Sequence, residues 1–437
     1  MNDLSRRLLD AAGDLERDRN RRARRRTIAA ASLSTAVTLV WLVSVTAAGL
    51  WPRVVDNWAA SITMVAGSVV AGATPQGGGA VAFPVFTKAI EVPADVARTF
   101  SLCIQAVGMG TASAWIVIRR RAVHWRAVAI AAPTAAIGMV AGLVLLGRPD
   151  EPYWPSVLPG PYVKVTFTAV VVTMAAVSWL AYRRPLVERE VRLPLRSASS
   201  IGLVVGAALV GGLASSLVGS GSDVLLYLGI VVVLGLAPEV GVPTSVVVMA
   251  TVSVVGLAVL GIGDGQLDVV VTDGEVLSVG GQEVTLMDGA PVAIDGSVGL
   301  VGEPGIPARR FDVFGLWIAA VPIVAWGAPI GAVIAGRLTD RMVVRVVVTL
   351  AVAELVTTIV FLDDVRTDPV LAAFGVALAA VLTGTCWAAR RHRRRLFGVG
   401  GFTADRPMRG DSIDPSPAWG AGSEPGEPDR RIGEGPR

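Results

Sequence analysis

Two stretches decide the fold: AGATPQGGGAVAFP at 71–84 and GGLASSLVGSGSDVLLY at 211–227. Each interrupts a long apolar run, the first within 57–88 and the second within 197–238, with glycines that permit tight dihedrals and close backbone approach. Working outward from them, further uncharged runs cover 27–50, 99–118, 127–147, 165–182, 240–263, 313–336 and 369–389, and the run 346–362 is broken only by Glu354. About 20 apolar residues cross a bilayer core, so these eight runs read as full transmembrane helices. Composition points the same way. The 437 residues are 53% hydrophobic and 17% charged, where a soluble domain has roughly 25% charged residues. The fold class expected is therefore an all-α polytopic membrane protein, with about eight spans plus two broken helical hairpins. Cys103 and Cys386 lie in apolar stretches, and His124 and His392 stand among arginines. Neither a disulfide framework, a metal cluster nor a His-based triad can be built from them, so no cofactor, no metal and no enzymatic activity is expected.

Arginine carries the topology signal. Basic clusters end the leader (RNRRARRRT, 19–27) and recur at 119–121, 183–184, 189–196, 337–345 and 390–395, and the positive-inside rule puts them in the cytoplasm. Both termini are then cytoplasmic, in the cell membrane. If each interrupted segment crossed once, the cluster at 119–121 would fall outside. Re-entrant hairpins restore the parity, the first dipping in from outside and the second from inside; the alternative is a single kinked helix with a basic loop on the wrong face. Broken backbone at membrane depth needs protein or a water-filled cavity around it.

Laid over itself, the chain repeats. AGATPQGGGAVAFP lies over GGLASSLVGSGSDVLLY, VARTFS (96–101) over VPTSVV (242–247), and AAIGMVAG (135–142) over APIGAVIAG (328–336). The units run 57–182 and 197–362, joined by a cytoplasmic linker at 183–196, and an odd number of crossings in each makes them inverted copies. Inverted repeats with helix breaks in matching places mark secondary transporters.

On these residues the chain resembles the sulfite exporter TauE/SafE family, over roughly 57–390. The motifs are Gly77-Gly78-Gly79 with Pro84 five residues on, Gly219-Ser220-Gly221-Ser222-Asp223, Pro243-Thr244-Ser245, and Gly-Ala-Pro-Ile-Gly-Ala (327–332) before Arg337. The resemblance implies export of a small anion such as sulfite or an organosulfonate. The leader 1–26, the helix 27–50, the loop 264–310, the final helix 369–389 and the tail 396–437 frame or extend that pattern.

A buried oxyanion needs oriented donors, and the N-termini of the half-helices after each bend supply them. The substrate-binding set expected is Thr74, Gln76, Gly77, Gly78, Gly79, Thr99 and Ser101 from the first unit and Gly219, Ser220, Gly221, Ser222, Thr244 and Ser245 from the second. The competing readings are close helix packing for the glycines and bonding to the helix's own carbonyls for the hydroxyls. Asp223 reads as an N-cap or as a proton-coupling carboxyl, and Glu354, deep in its run, as a second proton-coupling group or one paired with Arg98 or a serine. Lys88 and Arg98 flank the first hairpin on the outside, where they attract an anion or snorkel. Gln105 is a pathway residue or an interhelical hydrogen bond. Trp115, Trp125, Trp154 and Trp179 suit interfacial belts.

The stretch 266–296 alternates β-branched and polar residues around Asp-Gly and Gly-Gly pairs, a hairpin pattern that predicts a small outer sheet over the exit. The tail 396–437 is polar and expected to be disordered, and the leader to form a short charged helix on the membrane surface. Every basic run abuts a span, which excludes a nucleic-acid partner. The partners expected are a small anion and membrane lipids, with homo-oligomerisation left open. The reading is an anion exporter working by alternating access. A channel or importer of a similar anion is the alternative within transport, and a substrate-free scaffold the alternative outside it.

Overall fold

The computed structural model describes residues 3–89, 92, 94–146, 158–183, 195, 197–263 and 312–396, together with short strands between 269 and 311. The expected linker (apart from Arg183 and Leu195), the outer loop before residue 158, most of the loop 264–310 and the tail beyond Leu396 lie outside the described residues. In chain order the helices are α1 (Asp3–Ala47), α2 (Trp51–Asp56), α3 (Trp58–Ala73), α4 (Gly79–Pro84), α5 (Ala94–Ile118), α6 (Trp125–Leu146), α7 (Gly160–Arg183), α8 (Ala198–Val218), α9 (Ser222–Tyr227), α10 (Pro238–Leu257), α11 (Val313–Ala335), α12 (Asp340–Phe361), α13 (Asp363–Thr367) and α14 (Pro369–Leu396). Three π-helical segments extend α4, α9 and α10: Val85–Ala89, Leu228–Val233 and Ala258–Gly263. Pro84 accounts for the first, since it lacks an N–H and its ring crowds the carbonyl four residues back. Between α10 and α11 lie β1 (Val269–Thr272), β2 (Glu275–Val279), β3 (Gln282–Glu283), β4 (Ile294–Asp295), β5 (Gly299–Leu300) and β6 (Ala308–Phe311), all paired antiparallel, in the orders β3-β2-β1-β6 and β4-β5.

Among the described residues nine helices are long and apolar enough to cross a membrane: α1, α5, α6, α7, α8, α10, α11, α12 and α14. This is a multi-pass membrane protein. The count exceeds the eight expected because α8 runs unbroken for 21 residues, about 31 Å at 1.5 Å per residue, and nothing stops it before Gly219, whose φ of +74° only glycine adopts readily. Its partner arm α3 has 16 residues and is too short to span alone. The leader is corrected as well. It is not a separate surface helix but the start of α1, a helix of 45 residues, because no proline occurs before residue 52 and the leader is rich in helix formers.

Glycines set how the helices meet. In the crossing of α3 with α11, a Cβ at Gly72 would overlap the Ala328 carbonyl, and one at Gly331 would overlap that of Val69. In the crossing of α6 with α8, Gly212 lies against Ala135 and Gly138 against Leu209 in the same manner. α5 packs on both α10 and α11, and α7 on both α12 and α14. The limb after the first bend is held by aromatics: Phe83 stacks on Phe167 of α7 at 5.0 Å and Phe86 on Phe100 of α5 at 4.5 Å.

The first helix is fastened by indoles. Trp41 Nε1 donates to the Ile318 carbonyl at 2.7 Å, Trp326 Nε1 to Thr38 Oγ1 at 3.1 Å, and Trp115 Nε1 to Ser34 Oγ at 3.3 Å. Positions 34, 38 and 41 share one helical face. Trp115 is thus buried against the first helix, with the Arg119 guanidinium 6.0 Å over its ring, whereas Trp125 is exposed at the start of α6. Trp41→Phe keeps an aromatic ring but removes the indole N–H and its five-membered ring, so it should cost at least the hydrogen bond's roughly 0.5–1.5 kcal/mol, read as a lower melting temperature in detergent. An unchanged melting curve would show that the bond holds nothing.

Candidate binding site at the two helix breaks

Pro75 forces the first break. Thr74 ends α3, its N–H and Oγ1 both donating to the Val70 carbonyl at 2.9 Å, and Gly77 follows with φ +66°. The second break holds Gly219 at φ +74° and Gly221 at φ +139°, conformations that a side chain would strain. Neither segment is a continuous rod.

The two breaks touch. A Cβ built on Gly77 would overlap Asp223 Oδ2 and lie 3.3 Å from Gln105 Oε1. One on Gly79 would overlap Ser220 Oγ and lie 2.8 Å from Ser220 Cβ, and one on Gly219 would overlap the Arg98 carbonyl and lie 2.7 Å from Ser101 Cβ. Helix α5 is the seam between them. Its Gln105 donates through Nε2 to the Gly219 carbonyl at 2.7 Å and to the Ser101 carbonyl at 3.1 Å.

At this junction polar atoms are buried without partners: both amide atoms of Gln76, Ser101 Oγ, Gln105 Oε1, Ser220 Oγ and Asp223 Oδ2. Buried polar groups are normally paired, and each unpaired one costs about 1–3 kcal/mol. Their concentration in one place makes this junction the candidate site. Asp223 is fully buried, at 0% exposure. It stands inside the first turn of α9, not at its cap, with Oδ1 accepting from the Val224 N–H at 2.9 Å and Oδ2 turned across to Gly77.

Other expected members are turned elsewhere. The Ser222 hydroxyl lies 2.8 Å from that of Ser215, whose Oγ also accepts the Ser222 N–H at 3.0 Å. Thr244 donates to the Val240 carbonyl at 2.6 Å and accepts from the His124 N–H, and Ser245 donates to the Val242 carbonyl. Thr74 is likewise satisfied by its own helix, and Thr99 is buried in α5. Gly78 meets only ordinary contacts, at 3.5–3.8 Å.

The charged residues differ most from expectation. Arg98 is 2% exposed, with its carbonyl against Gly219. Lys88 is not at a solvent-facing mouth: its ammonium lies 2.6 Å from Glu354 Oε1, and both side chains are buried. Glu354 therefore pairs with Lys88, where Arg98 or a serine was expected, and Thr168 and Thr358 join the same cluster. Thr358 follows Glu354 by four residues, a spacing visible on one helical face. Thr168 carried no local signal.

A family model described as Sulfite exporter TauE/SafE matches residues 59–282, just over half of the chain. The match holds both breaks, with α3 and α8 entering them and α4 and α9 leaving. No curated protein and no solved structure matches the chain.

Proposed function

Because the chain belongs to the sulfite exporter TauE/SafE family, and so to membrane transporters of sulfite or related anions, we propose that it exports its anion by alternating access around a site where the two breaks meet. The observation that carries this reading is the set of unpartnered buried polar atoms on Gln76, Ser101, Gln105, Ser220 and Asp223. Ser101 and Ser220 hydroxyls and the Gln76 amide are donors suited to sulfite oxygens.

Two inverted units are supported by how the helices pair. Ala135 aligns with Ala328 and Gly138 with Gly331, and each of these two pairs meets the first arm of the other unit's hairpin. α5 lies against its counterpart α10, and α7 against α12. In such an arrangement one unit rocks against the other around the central site. The basic clusters assign both termini to the cytoplasm, which makes α8, though long enough to cross, the entering arm of a hairpin that returns to the inner face through α9.

A carboxylate beside a buried anion is repulsive. Asp223 Oδ2 and Gln105 Oε1 both face Gly77, two acceptors at one spot. A proton on Oδ2 removes the offending charge and turns that acceptor into a donor. The test is radiolabelled sulfite flux in liposomes. Asp223→Asn, whose amide donates in place of the acid, should keep flux within about threefold of wild type, less than the value of one hydrogen bond. Asp223→Leu should lose it. Full flux in Asp223→Leu would remove the site.

A further inference from the structure

Lys88 ends the limb that leaves the first break, and it reaches four oxygens of α12: Glu354 Oε1 at 2.6 Å, Thr358 Oγ1 at 2.8 Å, Thr357 Oγ1 at 3.3 Å and the Glu354 carbonyl at 3.4 Å. Glu354 Oε1 also accepts from Thr168 Oγ1 of α7 at 2.8 Å. The side chains of Lys88 and Glu354 are 2% and 1% exposed. Three elements distant in sequence are thus tied by one ion pair inside the membrane. Buried pairs are a poor way to gain stability, since apolar replacements often serve as well or better, and ionisable groups at membrane depth are functional by default.

The carboxylate is lopsided. Among the described residues, every hydrogen bond to the Glu354 side chain falls on Oε1, while Oε2 is buried without a partner. We propose that Glu354 Oε2 is the proton-binding atom that couples transport, and that its protonation releases Lys88 to an anion. A proton arriving from water bonds to Oε2, because Oε1 is already occupied by donors. The neutral acid then holds the ammonium weakly, and Lys88 is left with a full charge among neutral oxygens, which an anion completes. When the anion leaves, Lys88 returns to Glu354 and the proton departs. Lys88 is the charged group facing Glu354 from the limb. α7 faces it with Thr168, Lys164 lying one turn earlier, and its own helix supplies Thr357 and Thr358. α4 holds no ionisable residue, and Asp363, Asp364 and Arg366 of α13 are exposed. The limb after the second break, LGIVVV, has no such group, so among the described residues it offers no counterpart to Lys88.

Only the flux arm of the test rests on the transport reading above. In infrared difference spectra of the purified protein, acidification should produce a protonated-carboxyl carbonyl band that is missing in Glu354→Gln. A band unchanged in that variant, or none in wild type, overturns the proposal whatever the cargo. In liposomes, Glu354→Gln should keep sulfite exchange at equal pH and lose the acceleration of net flux by an imposed pH gradient; acceleration that survives overturns it. If Glu354→Gln shows no exchange, the double variant Lys88→Gln/Glu354→Gln, which leaves no lone buried charge, decides. Exchange restored without gradient response supports the proposal, exchange with gradient response overturns it, and no exchange assigns the pair to folding and overturns it too. Wild-type protein without sulfite exchange refutes the cargo, and the infrared result then stands alone.

Discussion

Gly77→Ala and Gly79→Ala should each lose sulfite flux by on the order of 100-fold, while Gly78→Ala between them stays near wild type. At Gly77 the backbone has φ +66°, where alanine pays roughly 1–2 kcal/mol, and its methyl would land on the Asp223 carboxylate. Gly79 is helical, but its methyl would meet Ser220 Oγ, with Ser220 Cβ only 2.8 Å away. Overpacking of this kind costs about 1–3 kcal/mol and prises the breaks apart where the unpartnered polar atoms gather. Gly78 has helical φ and room for a methyl, its nearest neighbour being Ala71 Cβ at 3.5 Å. Flux per amount of protein inserted in the membrane is the measurement. Equal damage at all three positions would mean that the break tolerates no side chain anywhere, and the contact with Asp223 and Ser220 would lose its meaning.

Gly212→Val should leave no folded protein. A Cβ there would overlap the Ala135 carbonyl and lie 2.6 Å from the Met139 nitrogen and 2.9 Å from the Gly138 carbonyl carbon. These are backbone atoms of α6, which cannot turn aside as a side chain does, so the helices must separate along the whole crossing. Gly72→Val in α3 meets the same obstacle, with the Ala332 nitrogen at 2.8 Å. Gly206→Val is the control, since it lies on α8 with nothing within 4 Å. Size-exclusion profiles in detergent should show loss of the monodisperse peak for Gly212→Val and Gly72→Val and its retention for Gly206→Val. A sharp peak for Gly212→Val would mean that the crossing is looser than described.

The two breaks were legible because local chemistry makes them. Pro75 cannot continue a helix, and Gly219 and Gly221 permit dihedrals that other residues resist. Counting apolar residues located the spans, but it joined α8 to a hairpin on the strength of the glycine motif, though α8 is itself long enough to cross. The polar cluster was read in part. Gln76, Ser101, Ser220 and Asp223 were named from their place in or beside the motifs, whereas Gln105 stood in an ordinary span and was left undecided. Ser222, Thr244 and Ser245 were named on the same grounds and turned to neighbours instead, since nothing in a single strand of sequence says which way a hydroxyl points. The Lys88 pairing was out of reach: its partner lies 266 residues on, and no local rule joins them.

The clasp between α3 and α11 also orders the making of the protein. Ser61 of α3 donates to the Ala319 carbonyl of α11 across 258 positions, so when α3 leaves the ribosome the surface that will hold it has not been synthesised. α6 and α8 are close in the chain and can engage soon after each emerges, as segments of a nascent protein fold from the N-terminus onward. α8 is therefore seated first, and α3 waits, short and unclasped, until α11 arrives to close the assembly.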